Sequence, residues 1–242
     1  MKFPRLRLAV TATGLALALA GCSPSGDQAA APQAAQAPDD GSARKLDTYR
    51  QLVRIGNDGM ATTMGKEIVS RYPNSDAARE VQQSLPAIEQ RYLETSEKNR
   101  LQGLWLYQVS PMEGGTQSTA SIYNSQPSGG NRVRLVLRRH TEWGQNAFLF
   151  SDGHGFVCRA TCTLNATFDG KPSGIKAFAP PTGEPALMVR DDSAFIAQLE
   201  KAKKVTLDVT MQDGEKKLTL VYEVAGFDPA KWQPLPKAAK KK

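Results

Sequence analysis

The sequence predicts an α+β protein, an N-terminal helical bundle followed by an antiparallel β-sandwich or open barrel with one helix. Three observations point there. Between Lys45 and about Gly103 the apolar residues recur at steps of three and four, the spacing of one-sided helices. After Leu104 the period falls to two, the alternation of half-buried strands. Only the stretch around Phe195, Leu199 and Ala202 then returns to helical spacing.

Leu46, Tyr49, Leu52 and Val53 mark the first helix. Gly56-Asn57-Asp58-Gly59 is a turn, and Asn57 or Asp58 is available to cap a second helix with the stripe Met60, Met64, Ile68, Tyr72. The two methionines are expected as core filler, not as metal ligands. Tyr72-Pro73-Asn74-Ser75 breaks the chain before a third stripe, Ala78, Val81, Leu85, Ile88, Tyr92. Pro86 lies inside it, so either this helix kinks there or a new one starts with Ser84 as cap.

Strands are expected at Leu104–Val109, Thr116–Asn124, Arg132–Arg139, Ala147–Ser151, Phe156–Cys158, Cys162–Phe168, Pro185–Val189, Val205–Met211 and Leu218–Val224. Val205, Leu207, Val209 and Met211 face one way. Gln212-Asp213-Gly214-Glu215 turns the chain, and Leu218, Leu220, Tyr222 and Val224 face the same core. Asp192 or Ser193 can cap the late helix. Many short strands with one late helix suit a sandwich or open barrel.

The net charge of +7 dissolves when it is divided along the chain. Residues 1–21 hold three bases and no acid, residues 22–41 three acids and no base, and the last six residues four lysines. Residues 42–236 keep 24 basic against 21 acidic groups, too balanced to steer a domain onto nucleic acid. Lys2, Arg5 and Arg7 precede an apolar run, Leu8 to Ala20, that has the length of a signal-peptide core and is too short to span a bilayer. The run ends in Leu19-Ala20-Gly21-Cys22, which resembles the lipobox of bacterial lipoproteins. That resemblance implies cleavage after residue 21, lipidation of Cys22 and a membrane anchor at the new N-terminus. Ser23 in place of an aspartate implies the outer membrane, with the protein facing the periplasm. Residues 22–42, rich in Ala, Pro and Gln, contain no Val, Ile, Leu or aromatic residue and read as a flexible tether. The expected organisation is therefore signal 1–21, linker 22–42, helical region 43–102, β-rich domain 103–232 and basic tail 233–242.

Four groups of residues invite a chemical reading. Cys158 and Cys162 remain as an even pair once Cys22 is lipidated, and in an oxidising compartment they are expected as a structural disulfide across a tight hairpin. A metal or dithiol site with His154 has the wrong local structure, because His-x3-Cys-x3-Cys converges only on a helix. Ser151-Asp152-Gly153-His154-Gly155 contains triad residue types, but adjacency in sequence is not a triad, and the glycines favour a turn. Arg132, Arg134, Arg138 and His140 share the face of their strand opposite Val133, Leu135 and Leu137. They are either a solvated, charge-protected strand or a reader of an anionic partner, lipid headgroup or wall polymer. The lysine tail, Lys237 to Lys242, is a solvated end or a weak contact with anionic polymers.

Lys66 to Val81, reading KEIVSRYPNSDAAREV, resembles the end of a tetratricopeptide-type helix pair, with no second copy at the period of about 34 residues. Trp105, the arginine strand, Cys158 and Cys162 followed by Phe168-Asp169-Gly170, then Phe195-Ile196, Leu199, Ala202, Val205 and Val224-Ala225-Gly226-Phe227 make the C-terminal region similar to a group of bacterial periplasmic proteins and lipoproteins. That group is distantly similar to accessory proteins of type VI secretion. The resemblance implies a shared β fold and carries over no catalytic residue; the Gln126–Asn131 stretch departs from it. The function expected is that of a non-catalytic envelope accessory or binding lipoprotein with a protein partner, without cofactor or metal. The alternatives are an inhibitor or immunity lipoprotein against a wall-degrading enzyme, and an envelope hydrolase.

Overall fold

The helical and the alternating stretches each build their own apolar cluster. The computed structural model describes residues 41–128 and 132–235, so Cys22, the linker up to Asp40, the Gly129-Gly130-Asn131 segment and the lysine tail lie outside the described residues. Gly41 onward forms one compact unit.

Helices α1 (Ser42–Arg54), α2 (Asp58–Arg71) and α3 (Asp76–Gly103) pack around Leu46, Tyr49, Leu52, Ala61, Ile68, Ala78, Val81 and Ile88. Asn57 caps α2 by accepting from Met60 N at 3.1 Å, and Ser75 caps α3 by accepting from Ala78 N at 3.0 Å. The stripe of α2 is rotated from the expected one: Met60 is 58% exposed, and Ala61, Gly65 and Ile68 face the core. Small residues win here because the helices approach closely; a Cβ at Gly65 would press on Tyr49, Val81 and Leu85. Pro86 neither ends α3 nor starts a new helix. Ser84 caps nothing, and its hydroxyl instead bonds Tyr49 Oη at 2.7 Å. Burial of Val81 and Ile88 on either side of the proline offsets its missing N–H.

Nine strands form one sheet, β1 (Leu106–Met112), β2 (Gly115–Tyr123), β3 (Val133–His140), β4 (Gly144–Ser151), β5 (Cys162–Phe168), β6 (Lys171–Phe178), β7 (Ala186–Val189), β8 (Lys204–Thr210) and β9 (Lys217–Glu223). Their order is β1-β2-β3-β4-β7-β6-β5-β8-β9, antiparallel throughout. The sheet rolls around a single core, with Ser125 N and Gln126 O bonding Val221 of β9, but no strand pairing closes it into a barrel. Of the two architectures the pattern allowed, the molecule therefore adopts the open one.

Two differences from the sequence pattern have physical causes. Phe156–Cys158 is not a strand; Phe156 makes one bridge to Met211 and plugs the core. β6 was hidden by Pro172 and Gly174, which read as breakers. Pro172 pairs only with Thr167 of β5, while β6 meets β7 at Ala177 and Phe178 alone, so the proline sits where no donor is required on its other side.

Helix α4 (Asp192–Leu199) lays Phe195, Ile196 and Leu199 on the core. Its cap is Asp191, which accepts from Ala194 N at 3.0 Å, rather than Asp192 or Ser193. Trp105, Tyr107, Phe227 and Trp232 form an aromatic cluster, with Tyr107 stacked on Trp105 and on Phe227 and the other pairs tilted. The helical and sheet portions meet at Gly226, where a Cβ would collide with the backbone of Leu101 and Gln102. Arg100 bridges the same junction to Glu223 and pairs with Glu97 of its own helix, each at 2.7 Å.

Candidate functional site

Register alone determines which side chains share the outer face of the sheet. Tyr123 lies opposite Arg134, Ser121 opposite Val136 and Thr119 opposite Arg138. Across the next ladder Arg134 faces Phe150, Val136 faces Phe148 and Arg138 faces Asn146. Phe148 in turn pairs with Met188, and Met188 with Phe178 of β6. Side chains two apart point the same way, so these residues form one continuous surface directed away from the core. Over it lies a cleft of about 500 Å³, with Trp143 and the Pro180–Glu184 connection at its rim.

The arginines are held by rings rather than by carboxylates. Arg138 lies 5.2 Å from the Trp143 ring centre and 5.1 Å from Phe148, and Arg134 lies 5.0 Å from Phe150 and 5.7 Å from Tyr123. Arg132 stands over Tyr123 at 3.8 Å. Arg138 donates to Asn146 Oδ1 at 2.9 Å, and among the described residues it has no ion-pair partner. Arg134 meets one carboxylate among the described residues, Asp152, at 3.5 Å. The Nε atoms of both are buried and without a hydrogen-bond partner. Burial presses the Arg138 guanidinium below its ordinary value, with Glu184 opposing the shift. An arginine held half-desolvated with a buried, unpaired Nε is costly to the fold, while its Nη tip lines the cleft as a positive group for an anion.

Arg132, Arg134 and Arg138 thus lie on one face, whereas His140 does not remain available there: it is 3% exposed. Its Nδ1 accepts from the backbone N–H groups of Glu142 and Trp143, both at 3.2 Å, and its ring stacks on Trp143 with centres 4.0 Å apart. His140 therefore orders the β3–β4 hairpin and props up Trp143, a role hidden from strand parity because it depends on the turn. Arg139 points to the opposite side, where its guanidinium covers the Trp232 ring at 3.7 Å.

Cys158 and Cys162 are joined, with Cα atoms 5.6 Å apart, and the bond ties the loop after Phe156 to the start of β5 rather than spanning a hairpin. Ser151, Asp152 and His154 are not brought together. Ser151 Oγ accepts from Gly153 N at 3.2 Å, Asp152 accepts from Tyr123 Oη at 3.2 Å, and His154 is exposed on the loop. Among the described residues there is no cluster of three or more His, Cys, Asp or Glu side chains, and no helix long and apolar enough to cross a membrane.

Phe148, Phe150, Phe178, Met188 and Trp143 are the site residues that sequence reasoning missed. A signal was present: Ala147, Phe148, Leu149 and Phe150 form a run apolar on both faces, beside a strand whose outer face is arginine. Comparison with protein-family models, with curated proteins and with solved structures gives no match.

Proposed function

We propose that the chain is a non-catalytic binding lipoprotein of the bacterial envelope, anchored at the outer membrane through Cys22 and acting as a secretion-system or assembly accessory that engages a protein partner. The observation that carries the reading is the arginine and aromatic face. Arg, Trp, Phe and Met are the residue types enriched in the buried centres of protein interfaces, and no lysine lines the cleft. Half-desolvated guanidiniums with an unpaired Nε reduce the stability of the free protein, and their Nη tips present positive charge to a partner's acceptors. The two histidines support the same reading, since one is built into a hairpin and the other is exposed on a loop without a nucleophile beside it.

Crosslinking in the native envelope followed by recovery of the full chain is the test. Arg134→Gln with Arg138→Gln should reduce the recovered partner about tenfold or more while the fold is retained. Unchanged recovery overturns the reading, as does turnover of peptidoglycan or ester substrates that is lost in His154→Ala.

A further inference from the structure

We infer that the cleft receives an extended acidic segment of the partner polypeptide, with two carboxylates four residues apart on either side of an apolar side chain. The inference rests on the binding reading above and specifies what is bound. Arg134 and Arg138 lie on the same face of β3 with Val136 between them, so at the rise of a strand they stand about 13 Å apart. An extended segment running alongside repeats that distance between residues i and i+4, and places residue i+2 on the same side. A helix cannot match it. About nine residues of helix span 13 Å, but the ninth residue lies on the opposite face, whereas residues that return to one face are spaced near 10.5 or 16.5 Å.

The chemistry at each station matches a carboxylate. Phe148 and Trp143 flank one guanidinium and Phe150 and Tyr123 the other, and the Nε side of each is covered, which leaves the Nη tip as the part that meets a ligand. An in-plane carboxylate accepts end-on from the two Nη atoms, taking the place of Asn146 at Arg138 and of Asp152 at Arg134. Between the stations Val136, Phe148 and Met188 form an apolar floor for the middle side chain. A single-headed anionic lipid would satisfy one arginine and leave the other.

The test uses the full-length lipoprotein in detergent and short synthetic peptides in a serine background. The matched peptide carries two glutamates four residues apart around a central phenylalanine; a second has the glutamates three apart, and a third has lysines in their place. Trp143 is the reporter, being 45% exposed at the rim while Trp105 and Trp232 are 5% and 1% exposed, so acrylamide quenching reads mainly Trp143. The matched peptide should protect Trp143 saturably. Arg134→Gln and Arg138→Gln should each weaken it about tenfold, as should the three-residue spacing, while Lys217→Gln leaves it unchanged. Equal binding of both spacings, no protection at millimolar peptide, or preferential competition by phosphatidylglycerol added to the detergent micelles overturns the inference. If the peptides fail but envelope crosslinking still depends on the two arginines, the acidic-segment inference falls and the binding reading stands. If crosslinking is also independent of them, both fall.

Discussion

The outer face of this sheet has two halves of the same architecture and opposite chemistry. Each is touched by a cleft, one of about 510 Å³ at β5, β8 and β9 that also reaches the inward-facing Leu164, Val209 and Leu218, and one of about 500 Å³ over β2–β4 and β7. Volume therefore does not distinguish them; the side chains do. The first half presents Thr163, Asn165, Thr167, Thr206, Asp208, Thr210 and Thr219, and it satisfies its polar atoms across strands. Thr167 and Thr206 share a hydrogen bond of 2.7 Å, and Thr219 donates to Asp208 at 2.7 Å. The second half presents aromatic rings and arginines whose Nε atoms are unpaired. Their inner faces are alike, mostly Leu, Val, Ile and Ala. The fold needs only the inner face, so the departure of one outer half from the usual threonine surface is a feature that the fold does not require.

A change on the shared interior should affect both halves together, and it has the largest expected effect. Trp232 is buried against the sheet, donates from Nε1 to Ser118 O at 3.1 Å and carries the Arg139 guanidinium on its ring. Trp232→Ala should cost about 3–5 kcal/mol, because it removes a large side chain and strands an acceptor and a cation. Urea unfolding followed by circular dichroism checks this. A loss below about 1 kcal/mol would mean that the C-terminal strap is not part of the core and that the halves are stabilised separately.

How far the two halves could be read beforehand differs for a physical reason. The threonine half was legible, because Val205, Leu207 and Val209 alternate with polar residues and Leu218, Leu220 and Tyr222 answer across a recognisable turn. The arginine half was half legible. Strand parity placed Arg132, Arg134 and Arg138 on one face, but their neighbours come from β4, β7 and β6, and the order β4-β7-β6-β5 is set by non-local pairing that no local period encodes. β6 was also the strand that proline and glycine concealed. His140 was misplaced because its ring answers to the hairpin, and Met60 because α2 packs on its small residues. Periodicity reports which face is buried, and the composition of a surface assembled from distant strands has to be read from register.

The second prediction separates the halves by sign. Arg138→Met keeps the length of the side chain and an apolar contact with Phe148 and Trp143 while removing a half-buried charge. The lost cation–π contacts are worth about 0.5–1 kcal/mol each, and the relieved unpaired donor about 1–3 kcal/mol. A net gain of about 1 kcal/mol in stability is expected, together with reduced partner recovery. Arginine stays charged at every accessible pH, so the gain should be flat between pH 5 and 9. A destabilised variant would show that the arginine serves the fold and would erase the contrast between the halves.

The smallest effect is the sharpest control, and it lies in the other half. Thr167 and Thr206 pair on β5 and β8, half-buried and directly opposite in register. Thr167→Val or Thr206→Val preserves shape and strand propensity but leaves one hydroxyl without its partner, which should cost about 0.5–1 kcal/mol. The double variant removes both hydroxyls and places two β-branched apolar side chains in contact, so its stability should return to within about 0.3 kcal/mol of the starting chain. A double-mutant cycle in urea therefore yields a coupling of about 1 kcal/mol or more. None of the three variants should change partner recovery. Additive losses would mean that water already serves each hydroxyl. Lost recovery would place the partner on the threonine half, and the arginine face would then need another explanation for its unpaired donors.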